Sequence, residues 1–302
     1  MNRLAHGETS MSVGTRFSKF LENIKITEFQ HDEGAAKRES AVRVLNRHYW
    51  GNPSGTANSK YIGSWAKQTR IRPPRDVDVL FELPSSVHSR FEGRVGNKQS
   101  QLLQEVRGIL AATFTRTTIK GDGPVVLVPF TSYNVELVPS FQRVGGGHLV
   151  CMTTLNGWYK HEDYAAQSSS ILSSNLATSG NTRDLVRMMK CWQRYCSVSL
   201  KSFYIEILAS SFLDTWGNSG KSTIYYDWMV RDFLSFVLKK QNTYIYAPGT
   251  LEQMYLGSIW ASRAETALSR AKKACTHEAN KEWSLAGEEW QKIFGTDIPK
   301  YV

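Results

Sequence analysis

Two acids one residue apart, Asp76 and Asp78, sit in the run DVDVLF, and a Gly-Ser pair, Gly63-Ser64, precedes them with eleven residues between Ser64 and Asp76. Alternate residues of a strand share a face. Asp76 and Asp78 therefore fall on one side, with Val77, Val79 and Phe81 on the other. Two carboxylates side by side repel unless a cation lies between them. Hard oxygen ligands suit Mg²⁺ or Mn²⁺, which in turn suit phosphate chemistry. A lone DxD also marks strand ends and turns, so the Gly-Ser pair matters. Gly63 lets backbone approach a ligand closely, and the Ser64 hydroxyl with nearby N–H groups can hold phosphate oxygens. Lys67 and Arg70 follow as mobile positive charges.

The elements that must position these groups read as strands first and helices later. Phe17, Phe20, Leu21 and Ile24, then Ala41, Val42, Val44 and Leu45, recur at helical spacing and predict scaffold helices that back a sheet. A loose leader of about a dozen residues precedes them. A helix is expected around Leu102 to Leu110, then strands over Val125 to Phe130 and Tyr133 to Val138. Gly145-Gly146-Gly147 marks a flexible turn and the first candidate domain boundary, and HLVCMT reads as a further strand, with the boundary open to either side of it. From Glu162 onward the pattern is helical, with helices near Tyr225 to Leu238, Leu251 to Ile259 and Ser262 to Trp290. In DLVRMMKCWQRYC, Leu185, Met188, Met189, Trp192 and Cys196 form one apolar stripe, with Lys190 off it. By periodicity alone, that helix and the LKSFYIEILASSFL helix after it form a core hairpin with Lys190 solvated. Ser202 opens the second of these, where a hydroxyl and free N–H groups can meet a phosphate. GNSGKS at 217–222 ends like a phosphate-binding P-loop, but Thr215 stands where the first glycine belongs and no strand precedes it. It reads as an inter-helix loop.

At 302 residues the chain can hold one large or two medium domains. Its 41% hydrophobic and 21% charged content is that of an ordinary globular protein. No apolar run approaches a membrane span and no secretory pattern opens the chain, so a cytoplasmic protein is expected. Four cysteines without metal spacing read as reduced thiols. A net charge of +10 implies an anionic partner: nucleotides, nucleic acid or an acidic protein.

GSWAKQT followed by IRPPRDVDVLFELP resembles the nucleotidyltransferase signature of the DNA polymerase β superfamily. More closely, the chain resembles the bacterial cyclic oligonucleotide synthases (the CD-NTase family, with its SMODS domain) related to cyclic GMP–AMP synthase and oligoadenylate synthase. That resemblance implies a third carboxylate on a later strand, and SYNVELVPSF offers Glu136, where the family more often has Asp. Glu82, on the DVD strand itself, is the next choice. MMKCWQR and SLKSFYIE resemble the family's helical half, where a lysine and a serine contact the donor triphosphate; carried over, these are Lys190 and Ser202. The ending EWQKIFGTDIPKYV also resembles the family's.

The expected architecture is α/β (α+β). A polymerase β-type nucleotidyltransferase lobe with a mixed twisted sheet spans 1–145, and a mainly helical lobe spans 146–302, with the substrate cleft between them. The resemblance implies Asp76, Asp78 and Glu136 holding two Mg²⁺, with Gly63, Ser64, Lys67, Lys190 and Ser202 gripping phosphates. It implies ATP and GTP or another NTP joined into a cyclic di- or trinucleotide, the cyclic GMP–AMP type by preference, for antiphage defence. A regulatory protein or nucleic acid activator, and an effector that binds the product, are the partners expected. Two other classes share the features: a polymerase β-type enzyme extending RNA or tRNA ends or modifying a protein, and a degenerate nucleotide- or RNA-binding module. NTPs alone yielding a small phosphatase-resistant product would distinguish them.

Overall fold

The computed structural model describes residues 7–302, with side chains from Ser12 onward. Residues 1–6 of the expected leader lie outside the described residues; the rest of it is not loose but opens α1 (Gly7–Ile24). α2 (Glu28–Trp50) starts at a capping box, in which Thr27 and Gln30 satisfy each other's backbone N–H, and stops at Gly51 in the left-handed region. Then follow β1 (Ser59–Tyr61), α3 (Gly63–Lys67), β2 (Asp76–Glu82), α4 (Ser85–Glu92), α5 (Lys98–Thr113), β3 (Lys120–Asp122), β4 (Val125–Pro129) and β5 (Asn134–Gln142). β6 (His148–Met152) and β7 (Trp158–Glu162) complete the sheet. Next come α6 (Tyr164–Ala177), α7 (Asn181–Tyr195), α8 (Ser202–Leu213), α9 (Tyr226–Leu238), the hairpin β8 (Tyr244–Tyr246) with β9 (Gln253–Tyr255), α10 (Ala261–Ala279) and α11 (Trp283–Phe294).

The large sheet is mixed, in the order β1-β2-β5-β4-β3. β2 and β5 run parallel, and β6 joins the second half of β5 on the edge whose first half pairs with β4. One face follows the period-two expectation: Val77, Val79, Phe81, Val135 and Leu137 are fully buried against residues of α2 and α5. The opposite face carries the carboxylates at one end. Beyond them Leu80, Val138, Ile62 and Val150 form a small apolar cluster.

The lobe boundary expected at 145 falls inside a β-hairpin. Gly145, Gly146 and Gly147 all have positive φ and turn the chain from β5 into β6, which with β7 extends the same sheet. Backbone pairing, not the flexible turn, decides membership. α1 is also reassigned: Val13, Phe17, Phe20 and Ile24 lie in the helical core with residues of α7–α11 rather than against the sheet. Only α2 backs the sheet, as expected of both. The helix expected over Leu251 to Ile259 is instead β9 and loop. Tyr244-Ile245-Tyr246 alternates exposed and buried positions around a turn at Pro248-Gly249, a strand period rather than a helical one. The single helix expected over 262–290 breaks at Asn280–Glu282 into α10 and α11. GNSGKS is a loop after α8, as expected, tied down by the Asn181 side-chain amide on the carbonyls of Ser219 and Lys221.

α1 is locked to the C-terminal segment by one buried side chain. Arg16 donates from Nε to Glu278 Oε1 (3.0 Å) and from its terminal nitrogens to the carbonyls of Trp283, Pro299 and Lys300. Removing one member of a buried pair strands the other charge, at about 3–5 kcal/mol. Arg16→Ala should lower unfolding free energy by about that amount, and urea denaturation with an unchanged m-value checks it. A loss under about 1 kcal/mol would mean that the pair is solvated rather than buried.

Candidate active site

All eight residues singled out for phosphate and metal chemistry line one cleft of about 900 Å³ between the lobes: Gly63, Ser64, Lys67, Asp76, Asp78, Glu136, Lys190 and Ser202. Residues from β2, β5 and α3 form one wall and residues from α7 and α8 the other.

Strand register makes the acidic cluster. In the parallel β2–β5 pair, Asp78 stands opposite Glu136 and Asp76 opposite Asn134. Asn134 Nδ2 donates to Asp76 Oδ1 at 3.0 Å, holding that carboxylate in place. Burial, then repulsion from Asp76, pushes the Asp78 carboxyl up to about 6. Burial, then repulsion from Asp78 and Asp76, pushes Glu136 up to about 7. Glu82 is excluded from this group. It sits at the far end of β2 opposite Ser140 and binds Lys60 (2.7 Å) and His148 (3.0 Å).

β1 pairs with β2 and delivers Gly63 directly beside Asp78. The Gly63 φ is +55°, and a Cβ there would stand 2.3 Å from Asp78 Oδ2, so both conformation and space require glycine. The Gly-Ser pair opens the short helix α3 rather than a free turn. Trp65 Nε1 pins that helix to the Asp76 carbonyl at 2.9 Å.

The basic groups are less free than their sequence positions implied. Lys67 is buried, with Nζ 2.7 Å from Glu206 Oε2 and 4.5 Å from the Phe203 ring. Arg70 stacks over Trp65 at 4.5 Å and donates to its carbonyl. Neither is a mobile charge, because each is packed where α3 meets its neighbours. Lys190 lies off the apolar stripe of α7, as expected, yet is not solvated. Its Nζ donates to Glu206 Oε1 at 2.8 Å and to Thr69 Oγ1 at 2.9 Å. Ser202 is the first residue of α8, and its hydroxyl donates to Gln193 Oε1 at 2.8 Å. Burial opposes charge on Glu206, but Lys190 and Lys67 hold its carboxyl down at about 2. Sequence reasoning missed Glu206, Thr69, Gln193 and Asn134. Glu206 had a signal: a lone acid inside the apolar run FYIEILA is buried only with a cationic partner.

Among the described residues, no three Asp, Glu, His or Cys groups converge closely enough to enclose an ion unaided. Mg²⁺ in phosphate chemistry is held by one or two carboxylates, waters and substrate phosphates rather than by a complete protein cage. Strand-paired hard carboxylates that raise one another's proton affinity fit that mode.

A mixed sheet with this carboxylate register, faced by helices across the cleft, has the polymerase β-type nucleotidyltransferase fold. The family model of the Second Messenger Oligonucleotide or Dinucleotide Synthetase domain (SMODS) matches residues 11–168, more than half of the chain, and the chain belongs to that family. The solved CdnC:HORMA-deltaN complex of E. coli MS115-1 matches at TM-score 0.69 and 17% identity, over 94% of this chain and 98% of that one. The CD-NTase CdnG of Bradyrhizobium diazoefficiens, solved with GTP, matches at 0.68 and 11%, over 95% and 96%. The Vibrio cholerae cyclic AMP-GMP synthase DncV, solved with the linear intermediate pppA(3′,5′)pG, matches at 0.65 and 10%, over 98% and 89%. At such identities these likenesses show the fold. No curated protein matches the chain.

The raised carboxyls make the metal-free site pH-sensitive. Asp78 and Glu136 bind protons more tightly folded, near 6 and 7, than unfolded, near about 4. Their contribution is therefore complete below about pH 4 and is lost as pH rises through 6 to 7. Glu206 has the opposite sign, but its window lies below about pH 4.5. In EDTA, Asp78→Asn/Glu136→Gln should gain melting temperature relative to wild type between pH 5 and pH 8, and Mg²⁺ should narrow the gap at pH 8. A difference that does not change with pH would contradict the raised proton affinities of Asp78 and Glu136.

Proposed function

We propose that the chain joins NTPs into a cyclic di- or trinucleotide second messenger, with release of pyrophosphate, as part of CBASS antiphage defence. The observation that carries the reading is the in-register Asp78–Glu136 pair, with Asp76 two residues before Asp78, in the same cleft as Lys190 and Ser202. A ribose hydroxyl of one NTP attacks the α-phosphorus of another. The new P–O bond forms as the bond to the leaving pyrophosphate breaks, and a second transfer in the same cleft closes the ring. Asp76, Asp78 and Glu136 would hold two Mg²⁺, with Mn²⁺ also suited. When bound, the ions would lower the pKa of the attacking hydroxyl and neutralise the triphosphate. Gly63 and Ser64 bring backbone and hydroxyl donors to the phosphates beside Asp78, while Asn134 orients Asp76. Lys67 supplies donors from the α3 wall, and Lys190 and Ser202 from the α7–α8 wall opposite.

The substrates in this reading are ATP with GTP or another NTP. The relatives CdnC and CdnG were solved with ATP and GTP respectively, which supports nucleotide substrates. The HORMA complex of CdnC supports a regulatory protein partner. The net charge of +10 suits anionic ligands. Among the described residues no helix is long and apolar enough to cross a membrane, in keeping with action in the cytoplasm.

Incubation with labelled NTPs and no acceptor, followed by phosphatase, tests the reading. A small resistant product is expected from wild type with Mg²⁺, and none from Asp76→Ala/Asp78→Ala. Glu136→Gln should cut turnover by on the order of 10²- to 10³-fold with NTP affinity little changed. Label appearing only on added RNA would replace the cyclase reading with terminal transfer. A folded double variant that still forms product would remove the carboxylates from the chemistry.

A further inference from the structure

Four side chains meet where the lobes touch. Lys67 and Thr69 come from α3 and the residues just after it; Lys190 and Glu206 come from α7 and α8. All four are buried and all four line the cleft. Both oxygens of Glu206 are occupied. Oε2 accepts from Lys67 at 2.7 Å, and Oε1 accepts from Lys190 at 2.8 Å and from the Thr69 hydroxyl at 3.0 Å. The Thr69 oxygen in turn accepts from Lys190 at 2.9 Å.

An ammonium has three N–H donors and no acceptor. Lys190 uses two of them, and Lys67 uses one while its charge rests over the Phe203 ring. Both lysines keep donors for a further acceptor. Glu206 has none to give, and as an anion it repels phosphate. Two cations on one anion leave the cluster one positive charge, and both lysines favour the charged form of Asp78 on β2. Without the shared carboxylate, two buried ammonium groups at this spacing would drive each other apart.

We propose that Glu206 is the positioning residue of the triphosphate seat: its single carboxylate holds Lys67 and Lys190 together across the lobe boundary, with their remaining donors set for phosphate oxygens. The proposal rests on the nucleotidyl-transfer reading above and assigns Glu206 no contact with substrate. It also makes the seat a joint between lobes, since each lysine belongs to a different one.

Calorimetric titration with inorganic tripolyphosphate, without metal, tests this at pH 7 and pH 9. Glu206→Gln keeps the shape but removes the shared charge, and two neighbouring ammonium groups without it hold their protons less tightly. Tripolyphosphate binding should then weaken from pH 7 to pH 9 by about tenfold more in Glu206→Gln than in wild type. A merely structural role would lower the melting temperature and leave this pH profile unmoved. Should Glu206→Gln fail to fold, Glu206→Asp carries the test: one methylene shorter, it reaches one lysine only, and the same alkaline weakening is expected. A folded variant with the wild-type pH profile would overturn the role of Glu206. Wild type that does not bind tripolyphosphate at all would overturn the triphosphate seat itself, and with it the reading on which the proposal stands.

Discussion

Three carboxylates on one face of a parallel strand pair repel one another, and the rest of the cleft is organised around that repulsion. β2 and β5 place Asp78 opposite Glu136, with Asp76 two residues away. The far faces of both strands are buried in the core, so a slip of one residue would turn apolar side chains outward. The core thus enforces the clustering of like charges. Burial and repulsion show in the raised proton affinities of Asp78 and Glu136, a cost that a divalent cation would relieve.

Opposite these acids the charge logic is inverted. Lys67 and Lys190 would repel as the carboxylates do, and Glu206 is the anion between them. One side of the cleft is an anionic cluster of hard carboxylates. The other is a cationic cluster already carrying its counter-ion, and its members span both lobes. Binding a phosphate chain there would draw on charges that also hold the lobes together. On that reading, substrate occupancy and lobe contact would be coupled.

Glycine placement shows how closely the pieces fit. At Gly63 the left-handed backbone and the nearby Asp78 oxygen both exclude a side chain. Antiparallel pairing of β1 with β2 imposes that approach, and Trp65 anchors α3 to the backbone carbonyl of Asp76. β2 and α3 are thereby held together as one unit.

Local pattern in the chain was enough to determine the DVD face, the Glu136 strand, the paired helices carrying Lys190 and Ser202, and the rejection of GNSGKS as a P-loop. These follow from residue periods of two and 3.6, and for GNSGKS from Thr215 at the first glycine's place, none of which needs knowledge of the partner surface. Tertiary structure alone decided the lobe membership of α1 and of β6–β7. An amphipathic helix announces that it has an apolar face but not which core receives it, and a Gly-rich turn looks the same inside a hairpin as between domains. It also decided that Lys67 and Lys190 share one carboxylate. Lys67 and Glu206 are 139 residues apart in sequence, and only folding two lobes against each other brings such charges within hydrogen-bonding reach.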